Sequence, residues 1–166
     1  MMKLRPYKHE DAKHVVRWIK DEKAYYLWCA GLFGEYPLTE KKINDYYDAL
    51  QNNPTYWGMT AEDEQGVMGH ISVRFVDEKK KVVRLGFVLV DDDRRGQGLG
   101  KELVSMGIAY ARQFLEASQV TLGVFEQNTL AKRCYESLGL VQNEEQVVKF
   151  EVKEEEWDCL EMVLNP

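Results

Sequence analysis

The sequence contains few residues of the types that bind metals or form disulfides. It has three cysteines and three histidines in 166 residues. Cys29, Cys134 and Cys159 are odd in number and far apart, so they do not suggest a disulfide framework. The histidines are equally scattered, and no pair has the spacing of metal ligands. We therefore expect free thiols, a reducing cytoplasmic setting and no bound metal.

Long apolar runs and an excess of positive charge are also missing. No run approaches the ~18 residues of a membrane span, and the charged start MMKLRPYKHEDAKH has no signal-peptide core. The net charge of −6 argues against a nucleic-acid surface, which needs clustered lysine and arginine. We expect a cytoplasmic protein that binds neither membrane nor nucleic acid, and the acidic balance favours cationic partners such as amines.

The composition suits one folded domain that spans residues 1–166. The chain is 45% hydrophobic and 30% charged, and it shows neither repeats nor a Pro/Ser linker. MKLRPY predicts an opening strand, and HEDAKHVVRWIKDEKAYYLW predicts one helix. A further helix is predicted over TEKKINDYYDALQ, with Thr39 as its N-cap.

The second half of the chain is richer in β structure. TYWGMTAE, VMGHISVRFV and KKVVRLGFVLV predict an antiparallel meander with tight polar turns. QVTLGVF predicts a strand, NTLAKRCYESLG a helix closed by Gly139, and VVKFEV and WDCLEMVL a final hairpin turning at KEEE. One long helix has an apolar face predicted to comprise Leu99, Leu103, Met106, Tyr110 and Phe114.

This order of elements predicts an α/β fold with a mixed sheet. Strand, helix and strand around residues 83–125 form one crossover unit, which should be right-handed and give a parallel pair. The other strands are predicted to be antiparallel, and the helices are predicted to cover the faces of the sheet.

A glycine-rich loop, DDDRRGQGLGKEL, joins the third strand of the meander to the long helix. It fits neither a Walker loop, because Arg95 holds the first glycine position, nor a dinucleotide fingerprint, because Lys101 holds the third. Exposed backbone N–H groups at a helix N-terminus, with Arg94, Arg95 and Lys101 beside them, favour a pyrophosphate-sized anion. The alternatives are a plain strand-to-helix turn and a flavin or nucleotide-phosphate binder that shares only this loop.

Two motifs carry a resemblance to a known family. Arg95-Gly96-Gln97-Gly98-Leu99-Gly100 matches the pattern Q/R-x-x-G-x-G/A, and Asn128 to Leu140 matches N-x-x-A-x-x-x-Y-x-x-x-G-F/L. Together they resemble the GNAT superfamily of acetyl-CoA-dependent N-acetyltransferases. The resemblance covers residues 83–140, and the opening LRPYKHEDA is similar to the first strand and helix of that family.

The resemblance implies a fold and a co-substrate. The GNAT-like sheet is mostly antiparallel, with a splayed parallel central pair and helices on both faces, and here the splayed strands would end at Val90 and Phe125. Acetyl-CoA would lie in the gap, with its pantetheine arm along Val88–Val90 and its pyrophosphate on Gly96–Lys101. The cofactor-binding residues so implied are Val88, Leu89, Val90, Arg95, Gly96, Gln97, Gly98, Leu99, Gly100, Lys101 and Asn128.

The resemblance also implies catalytic roles. The backbone N–H of Leu89 would hold the thioester carbonyl and stabilise its oxyanion. Tyr135 would protonate the departing thiolate, since a phenol stays protonated at neutral pH. The alternatives are a Tyr135 that only packs, with its hydroxyl bonded to the backbone, and an Asn128 that only caps its helix. Cys134 is interpreted as a packed thiol rather than a nucleophile.

The general base departs from the family pattern. The positions that match the family's strand glutamate are Arg84 and Gly123, and neither accepts a proton. Glu126 is the nearest acid beyond the second strand and is the candidate base. A water chain, or an acid from the N-terminal helices, is an equal alternative.

We therefore predict an N-acetyltransferase that moves acetyl from acetyl-CoA to a primary amine, in a small molecule or a protein. Trp28, Phe33, Tyr36 and Trp57 are candidates for an apolar acceptor pocket, although aromatic residues are more often core. The alternative is an acyl-CoA-binding regulatory module without turnover. A homodimer is compatible with the sequence.

Overall fold

The computed structural model describes residues 1–166, and its centre is one seven-stranded sheet. The strands are β1 (Lys3–Pro6), β2 (Tyr56–Asp63), β3 (Gly66–Phe75), β4 (Val82–Val90), β5 (Gln119–Phe125), β6 (Val141–Val152) and β7 (Glu155–Leu164). They lie in the order β1-β2-β3-β4-β5-β7-β6, and every neighbouring pair is antiparallel except β4 and β5. The predicted mixed sheet with one parallel pair is confirmed.

Five helices cover the two faces of this sheet. They are α1 (Ala12–Trp18), α2 (Glu22–Cys29), α3 (Glu40–Ala49), α4 (Leu99–Gln113) and α5 (Thr129–Ser137). His70 of β3 contacts Tyr47 of α3, while its neighbour Ile71 lies under Gly107 of α4. Adjacent strand residues point to opposite faces, so α3 and α4 lie on opposite sides. None of these helices combines the length and the apolarity needed to cross a membrane.

The prediction of one continuous first helix is wrong. The chain forms α1 and α2 instead, and Ile19 between them is extended, with φ −89° and ψ 107°. The Asp21 side chain accepts a 2.8 Å hydrogen bond from the Ala24 N–H and caps α2. An aspartate that satisfies an unpaired N–H favours a new helix start over a continuous helix. The predicted N-cap of α3 is confirmed, since Thr39 accepts from the Lys42 N–H at 3.2 Å.

The predicted apolar face of α4 is partly wrong. Leu103 is buried as expected, but Phe114 follows the last residue of the helix and is 73% exposed. Val104, Gly107 and Ala111 complete the buried face. A Cβ on Gly107 would lie 2.9 Å from Ile71 Cδ1, so the close approach of helix and sheet selects small residues here.

The final hairpin is longer than predicted and has a tighter turn. β6 begins at Val141, and the connection to β7 is reduced to Lys153 and Glu154, with φ angles of +47° and +68°. Positive φ at both central residues is typical of the two-residue turns that match the twist of a hairpin. Glu155 and Glu156, which KEEE placed in the turn, belong to β7.

A buried carboxylate joins the N-terminal strand to its neighbours. Both Asp11 oxygens accept from the Arg5 guanidinium at 2.8 Å, and Oδ2 also accepts from the Lys8 N–H and the Thr60 hydroxyl at 2.8 Å. Burial alone would raise the pKa of Asp11. The hydrogen bonds from Arg5, Lys8 and Thr60 outweigh burial and lower that pKa below its ordinary value.

Asp11→Asn is expected to lower the free energy of unfolding at pH 7 by about 1–3 kcal/mol, because it removes the more buried of the two carboxylates that pair with Arg5 and leaves only Glu62. The folded pKa of Asp11 is depressed, so its contribution is present above the unfolded value near ~3.9 and is lost as pH falls through the folded value. Urea denaturation of both proteins at several pH values measures this. Asp45→Asn, in an exposed pair with Lys41, is the control and should change little.

Candidate active site

The parallel strands β4 and β5 pair over a short distance and then separate. Their register runs from Val82 opposite Gln119 to Leu85 opposite Leu122, and it ends there. A bulge redirects β4 at this point: Ser72 pairs with Gly86 and His70 with Leu89, so β4 carries one extra residue. Phe87 lies in the bulge with φ +48°. The gap therefore opens between the strand ends at Val90 and Phe125, where it was predicted.

A cavity of about 490 Å³ lies in the gap. It contains five of the predicted site residues, namely Val88, Leu89, Arg95, Asn128 and Tyr135. Its other wall comes from α1, α2 and the link between them, and includes Trp28 as well as residues that the sequence did not indicate: Trp18, Lys20 and Lys23. Val90, Glu126 and the loop residues Gly96 to Lys101 are not part of the lining.

Tyr135 is held in this cavity by α5. It is 8% exposed, and its hydroxyl makes no hydrogen bond within the protein. This absence contradicts the alternative in which the hydroxyl is bonded to the backbone. Burial raises the pKa of Tyr135, so the phenol carries its proton at neutral pH. Burial likewise raises the pKa of the Cys134 thiol, in agreement with a packed, unreactive cysteine.

Asn128 caps α5 from the rim of the same cavity. Its side-chain oxygen accepts from the Ala131 N–H at 3.4 Å, which confirms the N-cap. The side-chain amide nitrogen has no partner in the protein. Asn128 therefore combines a structural bond with a free donor at the cavity.

The glycine loop presents open backbone at the N-terminus of α4. The first helical bond runs from the Glu102 N–H to the Gly98 carbonyl, so the N–H groups of Leu99, Gly100 and Lys101 have no helical acceptor. A Cβ added at Gly96, Gly98 or Gly100 would meet nothing within 4 Å. Free donors beside open space suit an anion of phosphate size.

One predicted charge of this loop is not available. The Arg94 guanidinium donates to Asp63 at 2.7 Å and ties the loop to the end of β2. Its place in the anion site was therefore wrong, whereas Arg95 lines the cavity. The sequence alone does not show which of the two adjacent arginines is neutralised by a distant aspartate.

The acids before the loop shape its turn, as expected. Asp91 accepts from the Asp93 N–H at 3.0 Å. Arg17 lies 3.5 Å from Asp91, and Lys20 lies 3.4 Å from Asp92, so the region around α1 is attached to the end of β4. Carboxylate oxygens of Asp91, Asp92 and Asp93 lie within 4.8 Å of one another, and the absence of a metal stays a prediction.

A second cavity of about 370 Å³ adjoins the first. The two share Leu27, Trp28, Leu85, Gly86, Phe87 and Gly123, which surround the point where β4 and β5 separate. A molecule in one cavity can therefore meet a molecule in the other at this point. We call the first the donor cavity and the second the acceptor cavity.

Only some of the aromatic residues predicted for an acceptor pocket lie at the acceptor cavity. Trp28 lines the acceptor cavity, and Phe33 stacks behind it with ring centroids 5.1 Å apart. Tyr36 and Trp57 do not line it, and Trp57 packs against Phe75 instead. The prediction missed five aromatic lining residues from α3, the sheet and the final hairpin: Tyr46, Tyr56, Phe87, Phe125 and Phe150.

The structure explains why arginine and glycine occupy positions 84 and 123, which match the family's strand glutamate. The Arg84 guanidinium crosses β5 and donates to both Glu161 oxygens of β7, at 2.7 and 2.9 Å. A Cβ at Gly123 would lie 2.6 Å from Arg84 Nη2 and 2.9 Å from Cys159 Sγ. Gly123 is glycine because the guanidinium passes over it. Glu126 is exposed and lines neither cavity, so the structure does not bring it to Tyr135.

A seven-stranded mixed sheet whose single parallel pair separates at one end is the fold of the acyl-CoA N-acyltransferases. Residues 12–140 match the model of the Acetyltransferase (GNAT) family. The chain belongs to the GNAT acetyltransferase family.

Relatives of known structure and sequence agree with this assignment. The spermidine N-acetyltransferase of Vibrio cholerae, solved with CoA and spermine, superposes with a TM-score of 0.82 at 16% identity, over 99% of this chain and 95% of that one. The mycothiol acetyltransferases of Salinispora arenicola and Salinispora tropica are 30% identical over 125 residues, or 72% of this chain. The chain spans 41% of the length of those two proteins.

Gly123→Ala is expected to destabilise the fold by about 1–3 kcal/mol, because the new methyl group must displace Arg84 from Glu161. Gly100→Ala is the matched control. Its Cβ meets nothing, and its helical position should make it neutral or up to ~1 kcal/mol more stable. Thermal unfolding of the two variants measures this, and equal stability would contradict the packing explanation of Gly123.

Proposed function

We propose that this protein transfers the acetyl group of acetyl-CoA to a primary amine. The observation that carries the proposal is the hydroxyl of the buried Tyr135, which has no partner in the protein and lines a cavity that joins a second one at the splay. The GNAT family assignment and the acetyltransferase relatives support it. A plain structural tyrosine would place its hydroxyl on a protein acceptor.

The residues around the donor cavity suit CoA. Beyond Leu85, the side of β4 that faces the gap has no strand partner, so its backbone groups can pair with an extended pantetheine arm along Val88–Val90. The free N–H groups of α4 would bind the pyrophosphate with Arg95, within the stretch Gly96, Gln97, Gly98, Leu99, Gly100 and Lys101. Lys23 adds an unpaired positive charge to the same cavity, while Lys20 in its lining is paired with Asp92.

Three residues would act on the reacting atoms. Leu89 lies opposite His70, two residues from the bonded pair Met68 and Asp91, so its N–H points to β3 and the oxyanion role implied for it is not available. The N–H of Val88, which faces the gap, would instead donate to the thioester carbonyl and stabilise the charge that develops on its oxygen. Tyr135 would give its proton to the departing thiolate, which leaves as free CoA. The Asn128 amide would donate to the pantetheine or to the acceptor. The amine attacks the thioester directly, so no enzyme nucleophile is needed.

The base is assigned to solvent rather than to Glu126. The donor cavity has one carboxylate in its lining, Asp21, which is engaged as the N-cap of α2, and the acceptor cavity has none. We therefore propose that the amine loses its proton through water in the open acceptor cavity.

Gly100→Val is expected to weaken CoA binding about a hundredfold, since the side chain would block two charge-assisted bonds to the pyrophosphate. The fold should be little affected, because a Cβ at this position meets nothing within 4 Å. Calorimetric titration with CoA measures this. Pantetheine, which lacks the pyrophosphate, is the control ligand, and its affinity should not change. Unchanged CoA affinity would contradict the role of the loop.

Tyr135→Phe is expected to lower kcat by about a hundredfold, because the thiolate must then leave without a positioned proton donor. The affinity for CoA should stay the same. Release of free CoA thiol from acetyl-CoA, across a panel of amines, measures the rate. Tyr110→Phe on α4 is the control. If the native protein binds CoA but no amine supports release, the regulatory binding module is the better description.

A further inference from the structure

The structure assigns an anionic group to the acceptor: we propose that the amine substrate also carries a carboxylate or phosphate, bound by Arg74 and Arg84. This inference rests on the proposed acetyl transfer, because it specifies the substrate of the same site. It adds an anionic group to the cationic amine that the acidic composition favoured.

The two arginines lie side by side on one face of the sheet. Tyr56, Arg74 and Arg84 are register partners across β2, β3 and β4, and Thr121 continues the row on β5. Register partners point to the same face. Tyr56, Arg74 and Arg84 line the acceptor cavity, so this row forms one end of it.

The positive charge at this end of the cavity exceeds the negative charge. Glu161 pairs with Arg84, while Arg74 makes no ion pair or hydrogen bond, and no aspartate or glutamate lines the cavity. Like charges directly opposite each other on neighbouring strands are destabilising. With one further bound anion beside Glu161, two anions would balance the two arginines. The cavity is thus locally cationic in a chain whose net charge is −6.

Both guanidinium groups have donors free for such an anion. Arg84 uses Nη1 for its bonds to Glu161 and Thr121, and its Nη2 and Nε make none. Arg74 lies near the Tyr56 ring, with Cζ 5.9 Å from the centroid. Planar guanidinium groups with free N–H donors are suited to carboxylate and phosphate.

Strand geometry sets the distance between this anion and the reacting amine. Arg84 precedes Gly86, which both cavities share, by two residues on the same face, or about 7 Å of extended strand. The walls between them are aromatic, from Phe87, Phe125 and Tyr46. The acceptor we infer is a primary amine joined through an apolar or aromatic spacer to an anionic group. A polyamine, which is cationic at every nitrogen, fits these charges poorly.

The test compares acceptors that differ in charge but share their shape. With CoA bound, para-(aminomethyl)benzoate should bind about ten- to a hundredfold more tightly than para-(aminomethyl)benzamide, benzylamine or spermidine. With acetyl-CoA, kcat/KM should follow the same order. Para-(aminomethyl)phenylphosphonate, tested beside the benzoate, distinguishes a phosphate site from a carboxylate site.

Arg74→Gln should remove this preference by raising KM for the benzoate about ten- to a hundredfold, with kcat and the CoA affinity unchanged. Arg74 makes no hydrogen bond or ion pair, so its replacement leaves no group without a partner and the fold should be preserved. Lys3→Gln, which removes the same charge from β1, is the control and should leave the preference intact.

The outcomes separate the two claims. If the benzoate binds in a way that depends on Arg74 but no CoA is released, the acetyl transfer is contradicted and the anion site is supported. Equal or better binding of the benzamide or spermidine, or a preference that survives Arg74→Gln, would overturn the anion site. Failure of every acceptor to bind would overturn it as well.

Discussion

The short pairing between β4 and β5 is the constraint on which the other features depend. Four residue pairs hold the two strands parallel, and the bulge at Phe87 then turns β4 away from β5. The separation leaves the backbone of Val88 to Val90 without a partner on one side, and it creates the point where the two cavities meet. A continuous parallel pair would satisfy these backbone groups and close both cavities.

Side chains pack against both faces of the sheet beside the splay. On β5, Gly123 lies under the Arg84 guanidinium, which reaches Glu161 of β7. The ion pair thus links three strands at the base of the gap. On the other face, Leu103 and Gly107 of α4 pack against the sheet and position the N-terminus of the same helix beside the gap. The packing that stabilises the fold therefore also positions the groups assigned to CoA.

Local patterns predicted the parts of the structure that local physics determines. Glycine spacing located the loop, Thr39 and Asn128 marked helix starts, and alternation located the strands. The failures share a cause, which is contact between distant residues. Asp63 neutralises Arg94, Glu161 occupies Arg84, and α4 selects small residues where it meets Ile71. No window of sequence contains both partners of such contacts.

The charge of a binding site follows from register rather than from composition. Arg74 and Arg84 are separated by a turn in the sequence, and they become neighbours because β3 and β4 form an antiparallel pair. Glu161 joins them from the other end of the chain through β7. Most of the acidic residues that give the chain its negative charge are on other surfaces, where water screens them. Arg74 is exposed at the end of the acceptor cavity and has no ion pair, so it is available to an anionic group there whatever the net charge of the chain.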